Sequence, residues 1–103
     1  MSTEVNIAKK LIHDKIESQI NTAQARLETL KAQAQAAKAN AELKLIADLL
    51  TKKRAIDQRL AELKSSGETT YQQTKSDLES RVTELEQSLK GIEIRFRAMA
   101  LAR

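Results

Sequence analysis

The sequence predicts an all-α fold, an elongated antiparallel coiled-coil helical hairpin, and three observations carry that prediction. The first is composition: the 103 residues include no Pro, no Cys and no Trp, only two Gly, and two aromatic residues, Tyr71 and Phe96. Ala, Leu, Glu, Gln, Lys and Arg, the residues that cost least in a helix, dominate what is left. The second is a heptad in the last third of the chain, where Tyr71, Leu78, Leu85, Ile92 and Met99 recur. Val82, Leu89 and Phe96 interleave with them at alternating steps of four and three. Such a pattern draws an apolar seam down one side of a helix and requires another helix to cover it. The third is the stretch Lys64-Ser65-Ser66-Gly67-Glu68-Thr69-Thr70, the clearest break in the chain.

The first helix is expected over residues 3–64, which contain neither Pro nor Gly. Its apolar or small positions run Ile16, Ile20, Ala23, Leu27, Leu30, Ala34, Ala37 and Ala41, then slip into a second register of Ile46, Leu49, Ile56, Leu60 and Leu63. The four-residue steps Ala41, Leu45, Leu49 read as a stutter, which unwinds a supercoil locally without ending the helix. Around Leu43, Leu45, Ile46, Leu49 and Leu50 the apolar arc is wide enough to need two neighbouring helices.

The turn is expected over residues 65–69. Gly67 is placed for the left-handed conformation that ends a helix, and Lys64 lies in the last turn, where a cation suits the dipole. Thr69 or Thr70 can cap the second helix, each with a Gln three residues on. That helix is expected over residues 70–102. Charge supports the fold-back: within residues 52–64 Lys52, Lys53, Arg54, Arg59 and Lys64 outweigh Asp57 and Glu62, and within residues 68–86 Glu68, Asp77, Glu79, Glu84 and Glu86 outweigh Lys75 and Arg81. Folding at the break sets the two blocks side by side.

Lengths extend the prediction to an oligomer. A helix over residues 3–64 would be about 93 Å long and its partner about 50 Å, so the second reaches back only to about Leu30. Residues 1–29 would overhang, with Leu11, Ile12, Ile16, Ile20 and Leu27 left for contact with another copy. The expected partner is therefore the chain itself, as a dimer or higher homo-oligomer, or another coiled-coil protein. The expected helix–helix interface is Leu30, Ile46, Leu49, Ile56, Leu60 and Leu63 against Tyr71, Leu78, Val82, Leu85, Leu89, Ile92, Phe96 and Met99. A rival arrangement breaks the first helix at Asn21-Thr22 or near Asn40 and folds the chain into a compact three-helix bundle. Neither place carries Gly or Pro.

Composition and spacing narrow the function classes. Without Cys there are no disulfides, thiolate metal sites or Cys nucleophiles, which fits a reducing compartment. No basic segment followed by an apolar one is visible at Met1-Ser2-Thr3-Glu4-Val5, and no apolar run approaches the ~20 residues that span a bilayer, so a cytoplasmic location is expected. His13 with Asp14 and Glu17 falls short of the three or four convergent ligands a metal site needs, and reads as an exposed side chain paired one turn on. Gly67 and Gly91 stand alone and form no phosphate-cradling loop. Carboxylate pairs such as Glu79 with Glu86 lie off the seam, where no dry pocket holds them for acid–base work. No enzyme, metal or cofactor is expected, and no catalytic, cofactor-binding or metal residue is nominated.

Two binding classes need weighing. The net charge is only +4; the basic cluster Lys52-Lys53-Arg54 faces an acidic block in the hairpin, and Lys90, Arg95, Arg97 and Arg103 are only four cations with Glu93 among them and no aromatic stacking platform, so nucleic acid is disfavoured. The stretch from Ile92 to Arg103 is both amphipathic and basic, and Ile94 and Leu101 widen its apolar face. Binding to a lipid or other hydrophobic surface is thus the alternative to self-association.

The alanine-rich segment from Leu30 to Ala41, followed by Lys53-Arg54 and Leu60-Ala61-Glu62-Leu63-Lys64-Ser65-Ser66-Gly67, resembles a loose group of small uncharacterised bacterial coiled-coil proteins. The resemblance covers residues 23–90, and Tyr71 stands where members of the group often have Trp. It implies a helical hairpin and no particular reaction.

Overall fold

The protein is all-α. In the computed structural model, which describes the backbone of residues 3–101 and the side chains of residues 6–67 and 70–99, three helices follow one another: α1 (Thr3–Ala36), α2 (Asn40–Ser65) and α3 (Glu68–Leu101). The bundle measures 58 × 19 × 17 Å. Its long dimension is close to the length of a 34-residue helix, about 51 Å, so α1 and α3 each run the whole way.

Ion pairs fix the order of the helices. Glu42 meets Arg95 near one end of α2 and α3, and Arg59 meets Asp77 nearer the other, so these two helices run antiparallel. Arg26 meets Glu93, and Lys9 near the start of α1 reaches the junction of α2 and α3 at Ser66, so α1 and α3 run parallel. Each helix packs on both others.

The predicted helix over residues 3–64 is therefore two helices, broken at Ala37-Lys38-Ala39. The break is a Schellman motif. Lys38 adopts φ 55°, its N–H donates to the Gln35 carbonyl (3.2 Å), and the Ala39 N–H donates to the Ala34 carbonyl (2.9 Å). Ala39, with no capping side chain, then accepts the first hydrogen bond of α2 from the Leu43 N–H (2.9 Å), and Asn40 is already helical. The register slip read as a stutter at Ala41–Leu49 is the change of helix.

Magnitudes explain why the chain turns here. A left-handed Lys costs about 1–2 kcal/mol, and an uncapped N-terminus about 1 more. Turning brings Ile16, Ile20 and Leu27 into the core, each contributing about 1.5–3 kcal/mol when fully buried. All three are at most 2% exposed. Helix α1 consequently packs against its own chain and does not overhang.

The second connection is only Ser66-Gly67, shorter than the expected turn at 65–69, and α3 starts at Glu68. No glycine has positive φ, so Gly67 does not end α2 in a left-handed conformation. Ser66 ends it in an extended one (φ −72°, ψ 141°), while its hydroxyl donates to the Leu63 carbonyl at 2.8 Å. Gly67 supplies the capping position of α3: its carbonyl accepts from the N–H groups of Thr70 (3.2 Å) and Tyr71 (2.9 Å), so Thr70 lies inside the helix.

One core runs the length of the bundle. Ile16, Ile20, Ala23, Leu27, Leu30 and Ala34 come from α1; Ile46, Leu49, Ile56, Leu60 and Leu63 from α2; Tyr71, Leu78, Val82, Leu85, Leu89 and Ile92 from α3. Ile12, Leu43, Leu50 and Phe96 pack against it partly buried.

Candidate interaction surfaces

Once this core is closed, a few large apolar side chains among the described residues remain outside it: Ile7, Leu11, Leu45, Ile94 and Met99. Ile7 and Leu11 lie one turn apart near the start of α1, 55% and 66% exposed. Ile94 and Met99 lie near the end of α3, at the opposite end of the bundle. Of the side chains nominated for helix–helix contact, Met99 is thus largely outside the core and Phe96 is at its edge. Of those nominated for contact between copies, Ile16, Ile20 and Leu27 are inside it, Ile12 is at its edge, and Leu11 alone is well exposed.

The end of the bundle near Lys38 is loosely closed. A cleft of about 980 Å³ lies there between α1 and α3, with Leu30, Ala37, Ala39 and Phe96 among its apolar walls and Met99 at its side. Small side chains explain the opening: where a core seam usually carries Leu or Ile, this end offers Ala34, Ala37 and Ala39. Its polar walls are held by paired charges. Arg26 donates from Nε to Glu93 at 3.0 Å and from Nη2 to the second carboxylate oxygen, and Arg95 lies 3.2 Å from the buried Glu42. The bidentate hydrogen bonds from Arg26 keep the Glu93 carboxyl below its ordinary range against the opposing effect of burial, and they raise Arg26 in turn.

Among the described residues the charge blocks on either side of Ser66-Gly67 meet at Asp77. Asp77 accepts from Arg59 Nε at 3.0 Å and from Arg81 Nε at 2.9 Å. Partial burial pushes the Asp77 carboxyl up, but the hydrogen bonds and charges of the two guanidiniums outweigh it and leave it lowered. Lys53, at an apolar seam position in sequence, is half-buried and pairs with Asp57 on its own helix at 2.8 Å.

His13 lies 3.4 Å from Asp14 and 3.7 Å from Glu17. Among the described residues no group of three or more His, Asp or Glu side chains could hold a metal ion, and no helix is long and apolar enough to cross a membrane. No protein-family model, curated protein or solved structure matches the chain. Function has to be read from the surface.

The outer face of α3 is the most ordered feature of that surface. Ser76, Ser80, Thr83, Gln87, Gly91 and Ile94 follow at steps of four and three, all exposed and none charged. Acids flank the first half of this stripe and bases the second. In sequence Ile94 belongs to a widened apolar face, but the rest of the stripe is polar or Gly and gives no apolar periodicity to follow. Arg26 with Glu93, and Glu42 with Arg95, were out of reach altogether, because each pairing depends on where α1 stops.

Proposed function

We propose that the protein is a non-enzymatic structural module that associates with copies of itself through packing of helix faces. The observation that supports this reading is the pair of apolar side chains left solvated at each end after the core is complete: Ile7 and Leu11 at one, Ile94 and Met99 at the other. A 103-residue bundle with 17 Å as its smallest dimension could hold such side chains against a neighbour more cheaply than in water, at about 25 cal/mol per Å². The two carboxylates that line the cleft near Lys38, Glu42 and Glu93, are each paired with an arginine, which suits it poorly to acid–base work.

Light scattering with small-angle scattering across a concentration series tests the reading. A mass above 11.5 kDa that rises with concentration is expected. A monomer at every concentration defeats it.

A second reading, attachment to a lipid surface by the last turns of α3, is favoured by one arrangement: Ile94 and Met99 are exposed beside Lys90, Arg95 and Arg97. Co-sedimentation with anionic vesicles, comparing the native chain with Ile94→Glu, separates the two. Vesicle binding lost on substitution, from a protein that is otherwise monomeric, selects the lipid reading.

A further inference from the structure

We propose that the outer face of α3 is a two-fold docking surface on which two copies of this chain pair antiparallel, the acidic half of one helix against the basic half of the other. The proposal rests on the self-association reading and specifies its surface and geometry.

The charge order along α3 is self-complementary. Glu79, Glu86, Lys90 and Arg97 stand at steps of seven, four and seven along one flank of α3. The spacing reads the same in both directions while the sign inverts. A segment with that property is its own complement when reversed. Two copies of α3 related by a two-fold axis level with Ser88 bring Glu79 opposite the second copy's Arg97, and Glu86 opposite the second copy's Lys90. Symmetry repeats both pairs. On the other flank Glu84 and the second copy's Arg95 lie about 4.5 Å apart along the axis, within the reach of a guanidinium, and Arg81, which falls level with the second copy's Arg95, is already paired with Asp77. A parallel pairing would instead set acid on acid and base on base, so charge selects the orientation.

These groups are available. Glu79, Glu84, Lys90 and Arg97 are exposed and have no ion pair within the chain among the described residues; Arg95 also serves Glu42, Glu86 also lies in the field of Arg26, and Arg97 in that of Glu93. Between the flanks the stripe offers room for close approach. A Cβ on Gly91 would meet nothing within 4 Å, and the exposed Ile94 falls at the height of Ser80 and Thr83 of the second copy, a gap between small side chains that a knob can enter.

The same pattern argues against other occupants. An anionic membrane or a nucleic acid would be drawn to Lys90, Arg95 and Arg97 but repelled by Glu79, Glu84 and Glu86 on the same face. A self-complementary patch closes on itself after two copies, giving a dimer in place of a filament.

The test uses the full chain, which has no native Cys. Gln87→Cys places one thiol beside the axis, and Gln58→Cys, on the solvent face of α2, is the control. Cross-linking with a short bis-maleimide should give a covalent dimer from the first and not from the second. Light scattering then compares Glu79→Arg with the double reversal Glu79→Arg/Arg97→Glu. The single change turns two attractions into repulsions and should weaken dimerisation roughly tenfold or more, while the double change restores it. Circular dichroism confirms that each variant keeps its helices. A native chain that stays monomeric overturns this proposal together with self-association. An oligomer indifferent to Glu79→Arg, cross-linking no better at residue 87 than at 58, overturns the α3 surface alone and leaves self-association through another face.

Discussion

The two ends of the bundle are closed by connections of similar length and very different quality. At Ser66-Gly67 the chain reverses in two residues, and Leu63 and Tyr71 on either side are buried. Lys9 of α1 crosses over to donate its ammonium to the Ser66 carbonyl, satisfying an acceptor that the end of α2 leaves free. At Ala37-Lys38-Ala39 the chain reverses in three residues, one of them a left-handed Lys. Here the side chains are mostly Ala, a cleft separates α1 from α3, and Phe96 is only partly covered. Both turns satisfy the backbone; only the first is backed by bulk. What closes a helical bundle is therefore the volume of side chain delivered to its end, and an Ala-rich segment can turn without sealing.

The largest test of that contrast is a pair of truncations. Leu63→Ala removes a fully buried side chain at the tight end and should cost about 3 kcal/mol, with a fall in Tm of roughly 10–20 °C. Phe96→Ala at the loose end removes a larger side chain that is only partly buried, and should cost about 1–2 kcal/mol. Thermal and urea unfolding measure both. Equal losses would mean that the cleft is closed in solution and that the ends do not differ.

The turns themselves give the next largest effect. Lys38→Gly relieves a left-handed backbone and should raise stability by about 1 kcal/mol, offset in part by the added freedom of the unfolded chain. Ser66→Gly should do the reverse. Ser66 has φ −72°, so glycine gains nothing there, and its hydroxyl bond to Leu63 is lost. A loss of about 1 kcal/mol is expected in urea titrations. A Lys38→Gly variant no more stable than the parent would show that the left-handed turn is not a source of strain.

This also marks how far the sequence could be read. The all-helical class and most of the core positions were legible, because Ile56, Leu60 and Leu63 on one side and Leu78, Val82, Leu85 and Leu89 on the other alternate at steps of three and four whatever they pack against. The number of helices was not. A Schellman turn announces itself through Gly or Asn at the left-handed position, and here that position is Lys38, set between two Ala residues of high helix propensity. The traces of the turn are the register slip after Ala41, which a stutter explains equally well, and Asn40, near which the rival three-helix arrangement breaks the chain without Gly or Pro to mark it. At the other connection the reverse held: Gly67 marked the turn, yet its role is to begin α3 and not to end α2. The surface followed from the helix count. With α1 cut at Ala36, the stripe around Ile16 and Ile20 turned inward, and the exposed apolar positions became Ile7, Leu11 and Ile94.

Acid sharpens the comparison with the smallest effect. The loose end is held across α1 and α3 by Arg26 and Glu93, while at the tight end Asp77 ties α3 to Arg59 of α2. Both carboxyls lie below their ordinary values in the folded protein. A lowered folded value means that the stabilisation is complete above the unfolded value, about 4. It is lost as pH falls through that value toward the folded one. Glu93 is about one-third exposed, and water screens the pair, so the contribution should be about 0.5 kcal/mol. The informative variant is Glu93→Gln, which should flatten the decline in stability below about pH 4 without altering it at pH 7 by more than that amount. Amide hydrogen exchange then distinguishes the two ends: acid should loosen the α1–α3 contact near Arg26 in the parent protein, where little apolar volume backs the ion pair, before it loosens residues near Leu63. Simultaneous loss at both would mean that the bundle opens as one unit and that the cleft confers no local weakness.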